Sequence, residues 1–127
     1  RFVQATGVLP ALTPFEHHAD FLHANMLRFN AQHGILTDGW SPFGQGLMDN
    51  PVIVRLAEKH NRTPAQIMLR WFTHNDIIPI PNSRNPDRMR ANLEIFNFTL
   101  DQDDLSAITG LEAGNRLGGD PDTHVEE

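Results

Sequence analysis

The strongest limit on how this chain folds is an alternation: short apolar runs take turns with segments that open on helix-starting residues. Ala11 to His18, Ile35 to Trp40 and Asp76 to Pro81 are compact enough for strands, and the last reads as a strand buried on both faces. Pro14 counts against a central place for the first, because proline cannot donate to a ladder. Between them lie helical stretches. Ala19 to His33 places Leu22, Met26 and Phe29 on one face. Asn50-Pro51 is an N-cap with proline at N1, and Thr63-Pro64-Ala65-Gln66 adds a capping box to an N1 proline. The helix from Thr63 runs to about Asn75, with Ala65, Met68, Leu69 and Phe72 at helical spacing. Pro86 opens another, whose Met89, Leu93 and Phe96 recur every three or four residues, and Asp101 caps a last short helix with Asp104 at N3 and Gly110 near its end. Met26, Met48, Met68 and Met89 read as core filler. Strands alternating with helices predict parallel β/α units. Three such strands leave open edges, so the pattern reads as part of a larger sheet or barrel.

Composition removes several functions. With 127 residues the chain is one domain, with an irregular tail over 111–127, and 39% hydrophobic residues supply a core. The net charge of −6 gives no basic field for nucleic acid or an anionic membrane. No apolar run approaches the ~20 residues of a membrane span. The absence of cysteine excludes disulfides, thiolate catalysis and cysteine zinc sites, and fits a cytoplasmic protein. The acid is concentrated: residues 97–127 hold eight Asp/Glu against Arg116 alone, which leaves residues 1–96 near +1 and able to form a basic pocket.

Parallel β/α folds bind ligands just past the strands' carboxyl ends, here Glu16 to His18, Trp40 to Gly46 and Asn82 to Arg88. The third segment holds Arg84, Arg88 and Arg90 at a helix start, where backbone donors and a guanidinium together make a phosphate site. It also reads as a solvated basic first turn. Arg88 and Asn92 share a helical face. Trp40, Ser41 and the Gly44-Gln45-Gly46 loop suit a flat ring beside a polyphosphate, although an aromatic at a strand end is commonly core. His17 and His18 are neighbours on a strand, point to opposite faces and cannot chelate one ion, so a packed or hydrogen-bonded role is expected.

Glu16-His17-His18, Leu36 to Gly46, Leu56 to Trp71, Ile80-Pro-Asn-Ser83, Arg88 through Asn92 and Asn115 to Asp122 stand in the order seen in aldo-keto reductases, which the chain resembles over nearly its whole length. The tail and the Trp-Ser-Pro segment look most like bacterial 2,5-diketo-D-gluconate reductases. The resemblance implies an α/β fold: the C-terminal half of a (β/α)8 barrel, about strands six to eight with their helices and the final loop. It implies NADPH as cofactor and reduction of aldehydes, ketones or keto sugars to alcohols. Carried over by position, Trp40 matches the aromatic that stacks on the nicotinamide, Ser41 and Phe43 match the loop along the pyrophosphate, Ser83 and Arg88 match the 2′-phosphate site, and Asn92 matches the adenine contact.

Two positions depart from the family. Pro14 stands where the family has a glutamine that holds the carboxamide, and Asn82 replaces a lysine at the 2′-phosphate site. Arg84 offers a compensating charge, and NADH becomes possible beside NADPH. The family's proton-donating tyrosine and its lysine, aspartate and histidine partners belong to the other half of the barrel. This chain contains no tyrosine, so no catalytic residue is assigned, and the missing N-terminal half is an expected partner. The alternative reading is a non-catalytic half-barrel that assembles through its strand edges.

Overall fold

A computed structural model describes residues 2–118. Three strands, β1 (Leu12–Glu16), β2 (Leu36–Trp40) and β3 (Ile77–Ile80), form one parallel sheet in the order β1-β2-β3. Six helices accompany them: α1 (Phe2–Thr6), α2 (Ala24–His33), α3 (Pro51–His60), α4 (Pro64–His74), α5 (Pro86–Leu93) and α6 (Gln102–Thr109). The predicted order of elements holds, with α1 and a 3-10 turn over Leu47–Asp49 in addition. Consecutive strands are neighbours and no strand order reverses, as in a singly wound barrel wall. Pro14 and Pro79 lie in the two outer strands, where a missing N–H leaves no gap between paired strands.

Local chemistry fixes the helix starts. The Asn50 side chain accepts from the Val52 amide at 2.9 Å, ahead of Pro51 at N1. At α4 the Gln66 amide donates to Thr63 Oγ1 (3.2 Å) and the Thr63 amide to Gln66 Oε1 (3.0 Å). At α6 Asp101 and Asp104 repeat that reciprocal pattern at 2.8 and 3.1 Å. Asp104 is buried and also holds Lys59 and His60, each at 2.7 Å, which ties α6 to α3. Burial alone would raise the Asp104 carboxyl, but these contacts outweigh it and lower it. The core is built from α3, α4, α6 and the helix side of the sheet: Ile53, Leu56, Ile67, Met68, Trp71, Phe72, Ile77 and Ile108. Gly39 belongs here because a Cβ would sit 2.5 Å from the Phe72 ring.

Four expectations are corrected. Helix α2 begins at Ala24 rather than Ala19, because His18 and Phe21 pair across a tight turn and use those backbone groups. Its inward face carries Leu27 and Asn30, the latter donating to Thr37 of β2 at 2.8 Å, whereas Met26 and Phe29 are exposed beside a 290 Å³ groove. Helix α5 buries none of its residues, and Met89, Leu93 and Phe96 are exposed. Only Met68 among the four methionines is fully buried. The apolar stripes exist where their spacing puts them, but the described residues supply no cover for them.

Candidate functional site

The strand register lines up the carboxyl ends. Glu16 pairs with Trp40 and Trp40 with Ile80, so these three mark one edge of the sheet. In parallel strands paired residues share a face. Leu12, Leu36, Ile78, Trp40 and Ile80 therefore stand together on the side away from the core, and each is exposed; Leu36 reaches 58%, Ile78 and Ile80 48%. Asp38 and Glu16 share that side and are buried, and Asp38 Oδ1 has no hydrogen-bond partner.

Trp40 ends β2 with 38% of its surface exposed. Ser41 follows at φ 55°, a left-handed value uncommon for serine, and its carbonyl accepts from the Gly44 amide at 2.9 Å to close a tight turn. The turn drops Pro42 into a buried position and packs Phe43, half-buried, against the core. Phe43 is thus the anchor of this loop, while Trp40 and Ser41 are its accessible pair. Gly44 allows the sharp return: a Cβ there would come within 2.6 Å of Leu47.

Beyond β3, Ser83 and Asn92 meet on an apolar cavity of about 670 Å³ that runs along the free edge of that strand, lined also by Ile78, Leu93 and Phe96. Arg84 and Arg88 are exposed beside it. The expected backbone donors are already occupied at this site. Asn85 Oδ1 takes the amides of Asp87 and Arg88 at 2.9 and 3.1 Å, the Ser83 hydroxyl takes that of Asn85 at 3.3 Å, and Pro86 has none. An anion here is left to guanidiniums and to the Ser83 hydroxyl, whose one proton reaches the Asn85 carbonyl only at 3.5 Å. Among the described residues Arg84, Arg88 and Arg90 have no carboxylate partner, although the chain is acidic overall. The structure therefore brings Ser83 and Asn92 to one cavity wall, leaves Arg84 and Arg88 exposed in the same segment, and places Trp40 and Ser41 at the end of the neighbouring strand.

His17 and His18 point opposite ways, as expected of strand neighbours. His17 enters the core, stacked on Trp71 with centroids 5.9 Å apart and edge-on to Phe72 at 5.4 Å. Neither ring nitrogen has a partner, and burial, with the charges of His23 and His18, holds its pKa down at about 4. His18 is buried between two carboxylates: Nε2 meets Glu16 Oε1 at 3.0 Å, and Nδ1 meets Asp20. Glu16 also accepts from the amides of Leu117 and Gly118, the latter at 2.6 Å. Burial would raise the Glu16 carboxyl, but the two amides and His18 lower it. Sequence reasoning places Glu16 at a strand end but gives it no role. The signal available was a carboxylate on each side of a histidine at two-residue spacing, Glu16, His18 and Asp20.

Residues 13–113 match the model of the aldo/keto reductase family. The chain belongs to this family. An aldo-keto reductase of Mycolicibacterium smegmatis is 42% identical over 95% of this chain and 44% of its own length. The 2,5-diketo-D-gluconic acid reductase B of a Corynebacterium species is 41% identical over 98% of this chain and 46% of its own. Methylglyoxal reductase DkgA of Yersinia pestis is 41% identical over 96% and 45%. Among solved structures, a point mutant of Gox0644 in complex with NADPH superposes with a TM-score of 0.92 at 41% identity, covering 98% of this chain and 46% of that one. The chain thus spans about half the length of the curated relatives it matches. Its α/β fold, a three-stranded parallel sheet with helices, is that of aldo-keto reductase barrels. Among the described residues no helix is long and apolar enough to cross a membrane.

Proposed function

We propose that this chain is the C-terminal, cofactor-binding half of an NAD(P)H-dependent aldo-keto reductase that reduces aldehydes, ketones or keto sugars to alcohols in the cytoplasm. The observation that carries the reading is the placement of Trp40 at the carboxyl edge of a singly wound sheet, one strand away from β3, whose following segment puts Ser83 and Asn92 on one cavity wall and leaves Arg84 and Arg88 exposed. The residues fit a phosphorylated dinucleotide: an accessible indole for a flat ring, guanidiniums without carboxylate partners for phosphate, and a carboxamide on the cavity wall for a base. When bound, the nicotinamide supplies the hydride. Trp40 would hold the ring by stacking, Arg84, Arg88 and Ser83 would hold the 2′-phosphate, and Ser41 would face the pyrophosphate from the loop that Phe43 fixes. Pro14 offers no donor to the carboxamide and Asn82 no charge to the phosphate, so NADH competes more closely than it would beside a lysine.

The proton for the alcohol comes from another segment, the N-terminal half of the barrel. That half docks on the open face and the free edge of β3, and the greater length of the matched relatives supports its existence. NADPH titration tests the reading. Quenching of tryptophan fluorescence that is lost in Trp40→Ala is the expected result, and reductase activity should appear when the relatives' N-terminal half is added. A second reading, a half-barrel that only assembles, is favoured by the same exposed Leu36, Ile78 and Ile80. It takes over if the chain self-associates with concentration and NADPH quenches nothing.

A further inference from the structure

The segment 112–118 has no regular secondary structure, yet it is fastened along its length. Its Ala113 and Asn115 amides both donate to the Asp20 carbonyl at 3.1 Å, and Asn115 Nδ2 donates to Asp20 Oδ2 at 3.0 Å. Glu112 accepts from the Leu22 amide and, at 3.0 Å, from that of Gly114. The Arg116 guanidinium lies over the Phe21 ring, 4.9 Å from its centroid. The last fastening is the buried Glu16 carboxylate, which takes the amides of Leu117 and Gly118 and is itself held by His18. This brings the strap onto Trp40, the aromatic at the ligand edge of the sheet. A Cβ on Gly118 would lie 2.5 Å from Trp40 Cη2 and 3.0 Å from Glu16 Oε2, so only glycine lets the backbone come this close.

We propose that Glu16 is a positioning residue that clasps the strap against Trp40, with Gly118 as the contact that fixes where the indole lies and hence which flat ring stacks on it. The functional part rests on the reading of Trp40 as the nicotinamide platform. The geometry separates two jobs. Arg84, Arg88 and Ser83 take the phosphate end regardless of the strap, whereas the ring end depends on it. A carboxylate suits the clasp because its two oxygens accept two successive amides and His18 at once. The buried His18, in turn held by Asp20, keeps that carboxylate from swinging away.

Acrylamide quenching of tryptophan fluorescence reads the clasp directly, because Trp71 is buried and Trp40 is not. Gly118→Ala and Glu16→Ala should each make the accessible tryptophan easier to quench, with Glu16→Gln between them and the wild type, since one acceptor oxygen remains. NADPH should then bind the two alanine variants roughly 3- to 10-fold more weakly, the range expected from loss of one aromatic stacking contact. Adenosine 2′,5′-bisphosphate, which has no nicotinamide, should bind them as it binds the wild type. General disruption would weaken both ligands alike and overturns the proposal, as does unchanged quenching in Gly118→Ala, whose added methyl lies on the strap rather than in the core. If NADPH and the bisphosphate both fail to bind the wild type, the cofactor reading falls, and the acrylamide comparison still decides the clasp.

Discussion

The two faces of the sheet are made from alternate residues of the same three strands; one is covered throughout, the other only where the 112–118 strap meets Glu16 and Trp40. On the helix side Ile77 and Thr37 are buried and Gly39 touches the Phe72 ring; on the other side Leu12, Leu36, Ile78 and Ile80 are apolar and exposed. A parallel sheet with strands this apolar is ordinarily buried on both faces. The strands are thus composed for two covers, and the described residues provide one. The contrast also says where stability resides. Phe72→Ala removes a fully buried ring and should cost about 3–5 kcal/mol, while Ile78→Ala, half in solvent, should cost under about 1 kcal/mol in urea denaturation. Equal losses would undo the distinction, because the open face would then be packed in solution.

A finer probe of the covered face is the imidazole buried within it. His17 is fully buried, without hydrogen-bond partners, and its pKa is held at about 4. Between that value and the ordinary 6.5 the unfolded chain binds a proton that the folded chain refuses. Stability is therefore fully present above pH 6.5 and falls as the pH drops toward 4, by up to about 3 kcal/mol. His17→Leu should flatten that part of the profile and leave the neutral-pH fold intact. A variant whose acid loss matches the wild type would remove His17 from the account and leave His23, whose pKa burial also lowers.

How much of this was legible follows a division between near and far. The caps at Asn50, Thr63 and Asp101 were readable because donor and acceptor lie within three residues. The opposite orientations of His17 and His18 followed from strand period alone. What escaped depends on segments remote in sequence. The Asp20 carbonyl in the turn before α2 receives amides from 113 and 115, and Glu16 finds its two amide partners about a hundred residues away. Ser83 and Asn92, expected at the phosphate and adenine ends of a nucleotide, do share a cavity wall; the helix start was readable from Pro86, but the Asn85 cap that takes the expected backbone donors was not read. The rest of the family-like tail, Gly119 to Asp122, lies outside the described residues.

The least change is expected where the sequence pattern is most misleading. Helix α5 has an apolar stripe at helical spacing, as α4 does, yet Leu93 is 76% exposed where Leu69 of α4 is 1%. Period decides which face is apolar; it does not decide whether a partner is present. Leu93→Ser should therefore change the unfolding free energy of this chain by no more than about 0.5 kcal/mol, the range for exposed positions, and should lower binding of a hydrophobic dye, since Leu93 and Phe96 both line the cavity beside β3. A loss above about 1 kcal/mol would mean that the stripe is packed within the chain and that the cavity closes in solution. If the proposed N-terminal half docks there, the same substitution should become costly, because the exposed stripe would then be an interior surface. That dependence on the partner separates an interface from a core more directly than either stability alone.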